Sequence, residues 1–182
     1  MANQKWSIDG SHSEVGFNVR HLVVSKVRGR FSRFAGEIDL DATDLVRSKV
    51  RAKIDATSID TNDAKRDEHL RSADFFDVAT HPEIAFESRR IEAVDRDQYR
   101  VVGDLSIRGT TREVVLDVEV GGTVRDPWGN ERIAASVKTS LDRRDFGLVW
   151  NVALETGGVL VGEKIAIEIE IEAVRQAAAQ AA

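Results

Sequence analysis

The sequence predicts an all-β protein of about eight antiparallel strands closed into a barrel, with one short helix after the middle strands. Three observations carry this. Apolar and polar residues alternate with a period of two in most of the chain. Glycine-rich turn signals separate the runs, and only two prolines occur among 182 residues, so few strands are barred from a sheet interior. One segment, between Ile59 and Phe76, breaks the period and is strongly polar.

The alternating runs follow in order. Val15, Phe17 and Val19 form one apolar row; Phe34, Gly36, Ile38 and Leu40 form the next; Val50, Ala52 and Ile54 a third. Ile84, Phe86 and Ser88 lead to Val101, Gly103, Leu105 and Ile107, and then to Val114, Leu116, Val118 and Val120. Ile133, Ala135, Val137, Thr139 and Leu141 precede the clearest row, in which Ile165, Ile167, Ile169 and Ile171 alternate with Ala166, Glu168 and Glu170. β-branched residues on one face and charge on the other describe a half-buried strand. Gly121-Gly122, Gly109, Asp126-Pro127-Trp128-Gly129-Asn130 and Gly157-Gly158 read as turns. Within Asp60–Ser72, Thr61 or Asn62 is the expected N-cap of a helix of two to three turns, too polar for the core and so placed across a barrel end. Residues 1–175 are expected to form one domain, and 176–182 a flexible Ala/Gln tail.

Strands apolar on one face need a shared interior, in a sandwich or a closed barrel. Eight strands make a barrel just filled by its side chains or able to hold one small ligand. Small inward candidates (Gly36, Ala52, Gly103, Ala135) and only 6% aromatic residues favour a cavity. Such a lining suits an alkyl or isoprenoid chain. Val15, Phe17, Val19, Ile38, Phe75, Phe86, Leu105, Ile107, Leu116, Val118, Ile167 and Ile169 are the expected ligand-binding residues, with core packing the favoured role of the Phe75-Phe76 pair.

Composition excludes other classes. The formal net charge of −5 gives no basic balance for nucleic acid. Cysteine is absent, which removes disulfides, thiol catalysis and thiolate metal sites. The N-terminus lacks an apolar h-region and no stretch has the length and apolarity of a membrane-spanning helix, so the expected location is the cytoplasm. Ser11-His12-Ser13 is no catalytic unit, because neighbours on a strand point to opposite faces. Arg66, Asp67 and His69 are read first as a salt-bridged cap, and with His12 as candidates for contact with a polar headgroup. No metal site is expected, since residues two apart on a helix do not share a face. Asp142-Arg143-Arg144-Asp145 is expected to be a solvated, salt-bridged corner, and Trp6, Trp128 and Trp150 packing anchors.

Longer motifs carry a resemblance. Trp6-Ser7-Ile8-Asp9, Ser11-His12-Ser13, Val15-Gly16-Phe17 and Val19-Arg20-His21-Leu22 come first, then Gly29-Arg30-Phe31 and Phe34-Ala35-Gly36. The most specific are Asp60-Thr61, Arg66-Asp67, His69-Leu70-Arg71-Ser72 and Asp74-Phe75-Phe76-Asp77, followed by His81-Pro82-Glu83-Ile84-Ala85-Phe86-Glu87-Ser88. Gly103–Arg112, Trp128-Gly129 and Asp142–Gly147 complete the set. In these motifs the chain, to about Val174, resembles the YceI-like, polyisoprenoid-binding, lipocalin-like family. His81 departs from it, an aromatic being more usual before that proline. The resemblance implies an eight-stranded lipocalin-like barrel with a helical element at one side, holding an isoprenoid quinone, polyprenyl chain or similar lipid. It implies a homodimer too. Many relatives carry a secretion signal that this sequence lacks. The expectation is therefore a non-enzymatic carrier or store of a long hydrophobic ligand, with a bound isoprenoid or fatty lipid, no required cofactor and transient membrane contact. The alternatives are an enzyme acting on an isoprenoid or a small hydrophobic substrate, and an interaction barrel with a filled core.

Overall fold

The structure, a computed structural model, describes residues 3–177. Eleven strand segments occur among them: β1 (Gln4–Ile8), β2 (Glu14–His21), β3 (Ser25–Phe31), β4 (Phe34–Leu40), β5 (Lys49–Asp55), β6 (Ile59–Asp60), β7 (Glu83–Asp95), β8 (Gln98–Ile107), β9 (Thr110–Arg125), β10 (Glu131–Asp142) and β11 (Val161–Arg175). One α-helix occurs among the described residues, α1 (Ala64–Arg71), between β6 and β7.

The pairing reduces eleven segments to eight strands. β1 and β2 both pair with β11, β4 pairs with β1 where β3 pairs with β2, and β5 pairs with β4 where β6 pairs with β3. Each of these three couples is thus one strand broken by a bend. With β7 to β11 they form an antiparallel meander in which the last strand pairs back onto the first. The ring closes through β1 and β11, while β3 meets β6 only at Arg30 and Phe31, so the rest of that side of β3 has no strand partner among the described residues.

Two of the hairpin connections follow local turn chemistry closely. Arg108 and Gly109 take φ of 49° and 72°, the primed two-residue turn that matches strand twist. The β9–β10 turn is built on Asp126, whose carboxylate accepts from the backbone N–H of Trp128 and Asn130. Gly121-Gly122, expected to be a turn, instead lies inside β9, opposite a register shift between Ile133 and Ala135. It marks a bulge that bends the strand, as interior glycine often does. The N-cap of α1 is Asp63, not Thr61 or Asn62; its carboxylate accepts from Lys65 and Arg66 N–H. The helix closes one end of the barrel together with the 143–160 loop, while the 41–48 loop crosses the other. The start of the expected tail is tied down, since Gln176 N–H donates to Lys5 O at 2.8 Å; residues 178–182 lie outside the described residues. No helix among the described residues is long and apolar enough to cross a membrane.

The buried core gathers under α1. One cluster joins Val15, Phe31, Ala56, Ile59 and Ile84, with Leu70 and Phe76 packed on it; a second joins Phe75, Val114, Phe146 and Leu148. Two of the small inward residues do not leave empty space. A Cβ on Gly103 would meet the Phe86 ring at 2.6 Å and Glu87 O at 2.5 Å, so that ring already covers the glycine. At Gly36 the Ile8 side chain does the same, 2.5 Å from an added Cβ. Gly103→Val is expected to cost about 1–3 kcal/mol in urea unfolding through overpacking. Gly122→Ala, with nothing within 4 Å of its Cβ, is expected to change stability by less than about 1 kcal/mol.

Candidate functional site: an apolar barrel cavity

The alternation of each strand sends one row of side chains inward, and register lines these rows up around the ring. Val15, Phe17 and Val19 of β2 stand opposite Ile169, Ile167 and Ile165 of β11. These face Val137, Thr139 and Leu141 of β10, and Val137 faces Val118 of β9. Leu116 pairs with Val101, Phe86 with Leu105 and Ala52, and Ile38 with Val50. Together they surround a cavity of about 670 Å³, well inside the range of small-molecule sites. Many lining residues, Phe17, Ile38, Val118 and Ile167 among them, are only half-buried although they point inward. Their inner surfaces abut open space. The core is not filled.

All the residues expected to line an interior do so: Val15, Phe17 and Val19; Ile38; Phe75; Phe86; Leu105 and Ile107; Leu116 and Val118; Ile167 and Ile169. Phe75 and Phe76 follow α1 in a turn rather than a strand, and both rings face in. Phe76 meets Phe31 edge-on with centroids 5.9 Å apart, and Phe75 lies 5.4 Å from Trp150. His69 of α1 stacks edge-on against both Phe75 and Trp150, at 5.1 and 4.5 Å. These rings roof the cavity at the helix end.

Polar lining concentrates at that roof. Arg66 and His69 border the cavity there, as do Asp63 and Lys65, which the sequence did not single out. The three α1 candidates do not bond to one another as a salt-bridged cap would. Arg66 donates through Nε to Thr61 Oγ1 at 2.7 Å and through Nη2 to Thr61 O at 2.8 Å. Asp67 is buried, off the cavity, and accepts from Thr61 N–H and Oγ1–H at 2.9 and 2.5 Å. His69 Nε2 lies 2.8 Å from Asp74 Oδ2. Asp67 is therefore a brace between β6 and the helix, while Arg66 and His69 border the cavity at its roof.

Comparison with known proteins agrees with this geometry. The YceI-like domain model matches residues 6–173. The chain belongs to the YceI-like family. A UPF0312 protein of Staphylococcus epidermidis is 37% identical over 169 residues, covering 92% of this chain and 96% of its own. The Campylobacter jejuni YCEI protein superposes with a TM-score of 0.75 at 30% identity, over 93% of this chain and 96% of that one. A polyisoprenoid binding domain from Saccharophagus degradans has the same fold, with a TM-score of 0.70 at 15% identity over 94% and 98% of the two chains.

In this YceI-like barrel His12 sits elsewhere, outside the cavity lining, in the bend between β1 and β2. Ser11 lies in a turn and its hydroxyl reaches His12, whereas Ser13 Oγ bonds the Glu172 backbone, so the two serines do not both meet the imidazole. Ser11 Oγ is 3.0 Å and Asp9 Oδ2 2.9 Å from the same His12 nitrogen, Nδ1. A nucleophile–base–acid relay needs the two opposite ring nitrogens, so this trio cannot work as one. Asp9, His12 and Glu172 also place possible metal ligands within 4.8 Å of one another. A cation is already among them. Arg132 donates to Asp9 at 3.0 Å, to Asp126 at 2.8 Å and to Glu172. Hydrogen bonds from Ser11, His12 and Arg132 hold the Asp9 carboxyl far below the usual range, and Arg132 with Asn130 does the same for Asp126.

Two expectations about the 142–150 region and the tryptophans need correction. Asp142 does pair with Arg144, at 2.6 Å, and its carboxyl is lowered to about 2 by that hydrogen bond first. Arg143, however, is only 5% exposed. Its guanidinium donates to the carbonyls of Leu148, Trp150, Gly162 and Val161 and clasps both ends of the 147–160 loop. Burial pushes its pKa below the usual arginine value. Trp6 is an anchor at 2% exposure and Trp150 packs in the roof, whereas Trp128 is 81% exposed.

Arg143→Met is expected to cost about 3 kcal/mol, the scale of buried hydrogen bonds from a charged donor, and to open the 147–160 loop to limited proteolysis. Arg132→Gln is expected to lower Tm at neutral pH. The folded-state pKa values of Asp9 and Asp126 lie below their unfolded values, so the stability they supply is complete above the unfolded pKa and disappears as pH falls through the folded ones. The Tm gap between parent and Arg132→Gln should accordingly shrink below about pH 5, as followed by circular dichroism.

Proposed function

We propose that this chain binds a long hydrophobic molecule, an isoprenoid quinone, polyprenyl chain or similar lipid, inside the barrel and stores or transports it. The hollow between the inward rows carries this reading: about 670 Å³ lined almost wholly by Val, Ile, Leu, Ala and Phe. A cavity so poor in hydrogen-bonding groups rewards apolar length. Each buried methylene contributes about 0.8 kcal/mol, before the cost of freezing its rotors. The likeness to a polyisoprenoid binding domain supports the isoprenoid class.

On this reading the tail lies among Val15, Phe17, Val118, Ile167 and Ile169, and a polar head stops at the roof beside Arg66 and His69. The chain acts without catalytic residues or a resident cofactor other than its lipid. It works as a homodimer that meets membranes only to exchange its load.

Mass spectrometry of an organic extract of protein purified without detergent should show a polyprenyl or quinone lipid in near-equimolar amount. Ala135→Trp, which puts an indole into the cavity wall, should abolish lipid uptake while keeping the β-sheet circular dichroism spectrum. An empty extract together with no uptake of added polyprenol or quinone would reject the proposal.

A further inference from the structure

The hairpin of β2 and β3 ends in three apolar residues turned to solvent. Leu22, Val23 and Val24 are 42%, 61% and 89% exposed. Leu22 and Val23 both take left-handed backbone, with φ of 52° and 65°. Asn and Gly adopt that conformation readily, and a β-branched residue is strained in it. Apolar side chains therefore stand where turn chemistry favours small polar ones, at a cost to the fold.

A second short hairpin flanks the tip. Leu22 N–H donates to Leu160 O at 3.0 Å, Leu160 N–H donates to Val152 O at 2.9 Å, and Val23 packs beside Gly158. Val152 and Val159 on that hairpin are themselves exposed, which extends the apolar edge. This edge lies over the helix end of the cavity, whose lining includes His21, Leu160 and Val161 directly beneath it.

The outer face of the same hairpin is basic. From Val15 to Ala35 the chain carries Arg20, Lys26, Arg28, Arg30 and Arg33 and no acid, in a protein of net charge −5. Arg30 and Arg33 pair with Asp60 and Asp55, but among the described residues Arg20, Lys26 and Arg28 form no ion pair. Arg20 stands directly across from Lys26, and Arg28 across from Asn18. Like charges opposite each other on neighbouring strands are destabilising, unless something anionic lies over them.

We propose that this hairpin docks the barrel on an anionic lipid bilayer: Leu22, Val23 and Val24 enter the headgroup layer, and Arg20, Lys26 and Arg28 meet the lipid phosphates. The roofed helix end of the cavity then faces the membrane, and a hydrophobic ligand that passes through this roof moves between bilayer and barrel without crossing water. The exchange step rests on the carrier function proposed above; the docking does not. A second copy of the chain is the poorer occupant, since a two-fold contact would set these cations against their own copies.

Flotation with phosphatidylcholine vesicles, with and without phosphatidylglycerol, tests the docking. The protein should float only with the anionic vesicles, and less as salt rises. Leu22→Asn with Val23→Gly suits the left-handed turn, so the fold is kept; this variant should lose most flotation. R20Q/K26Q/R28Q should weaken binding roughly a hundredfold, from about a fivefold contribution per cation near the surface. Lipid uptake from detergent solution should be unchanged in both variants. Failure of the parent to float, or equal flotation by the variants, would overturn the proposal. A change from dimer to monomer in Leu22→Asn with Val23→Gly, without flotation of the parent, would assign the tip to contact between copies. Flotation with no uptake of lipid by any form would leave docking intact and remove the carrier function instead.

Discussion

Closure of eight strands into one ring is the constraint on which everything else in this molecule depends. Once β11 pairs with both β10 and the β1–β2 strand, the alternation of each strand commits one row to the interior and one to solvent, except at the bulges. The inward rows are then mostly Ile, Val, Leu and Phe, which do not fill the radius that eight strands impose. The hollow follows from that mismatch between ring size and side-chain length. The outward rows are charged, the reverse of a barrel that faces lipid.

The two ends of the ring are treated differently. At the helix end, aromatic rings and two buried clusters fill the section beneath α1, and the polar groups that border the cavity cluster there. Asp67 fastens the segment before the helix through Thr61, and Arg143 fastens the loop opposite through four carbonyls. Both are buried charges spent on backbone groups, and both hold a loop that would otherwise have little to bind it. Arg132 does the corresponding work on the outer wall, gathering Asp9, Asp126 and Glu172 at the bend where β1 gives way to β2. These clasps keep the bends and lid in place while leaving the middle of the barrel free for a guest.

Much of the site was legible in the chain because the strand period maps sequence directly onto face. Ile165 to Ile171 could face only one way, and all the expected lining residues reached the interior. Legibility ended where the period does. His12 was read as strand and lies instead in the bend between β1 and β2, where Ser11 but not Ser13 reaches it. Gly121-Gly122 looked like a turn, yet pairing with β10 continues past it with a bulge. Gly103 and Gly36 suggested empty space, but side chains from neighbouring strands cover them. Arg143 looked like one more charge in an alternating corner, and its burial depends on carbonyls five to nineteen residues away.

Local pattern alone set the strand number, the apolar row of each strand, the place of the helix and the apolar character of the interior. Those properties are local, set by residue type and a period of two. Tertiary structure decided which charges are buried, which glycines are covered, how the helix end is roofed and how the exposed tip of Leu22, Val23 and Val24 sits beside that roof. Those depend on register and on contacts between distant segments, which no local pattern encodes.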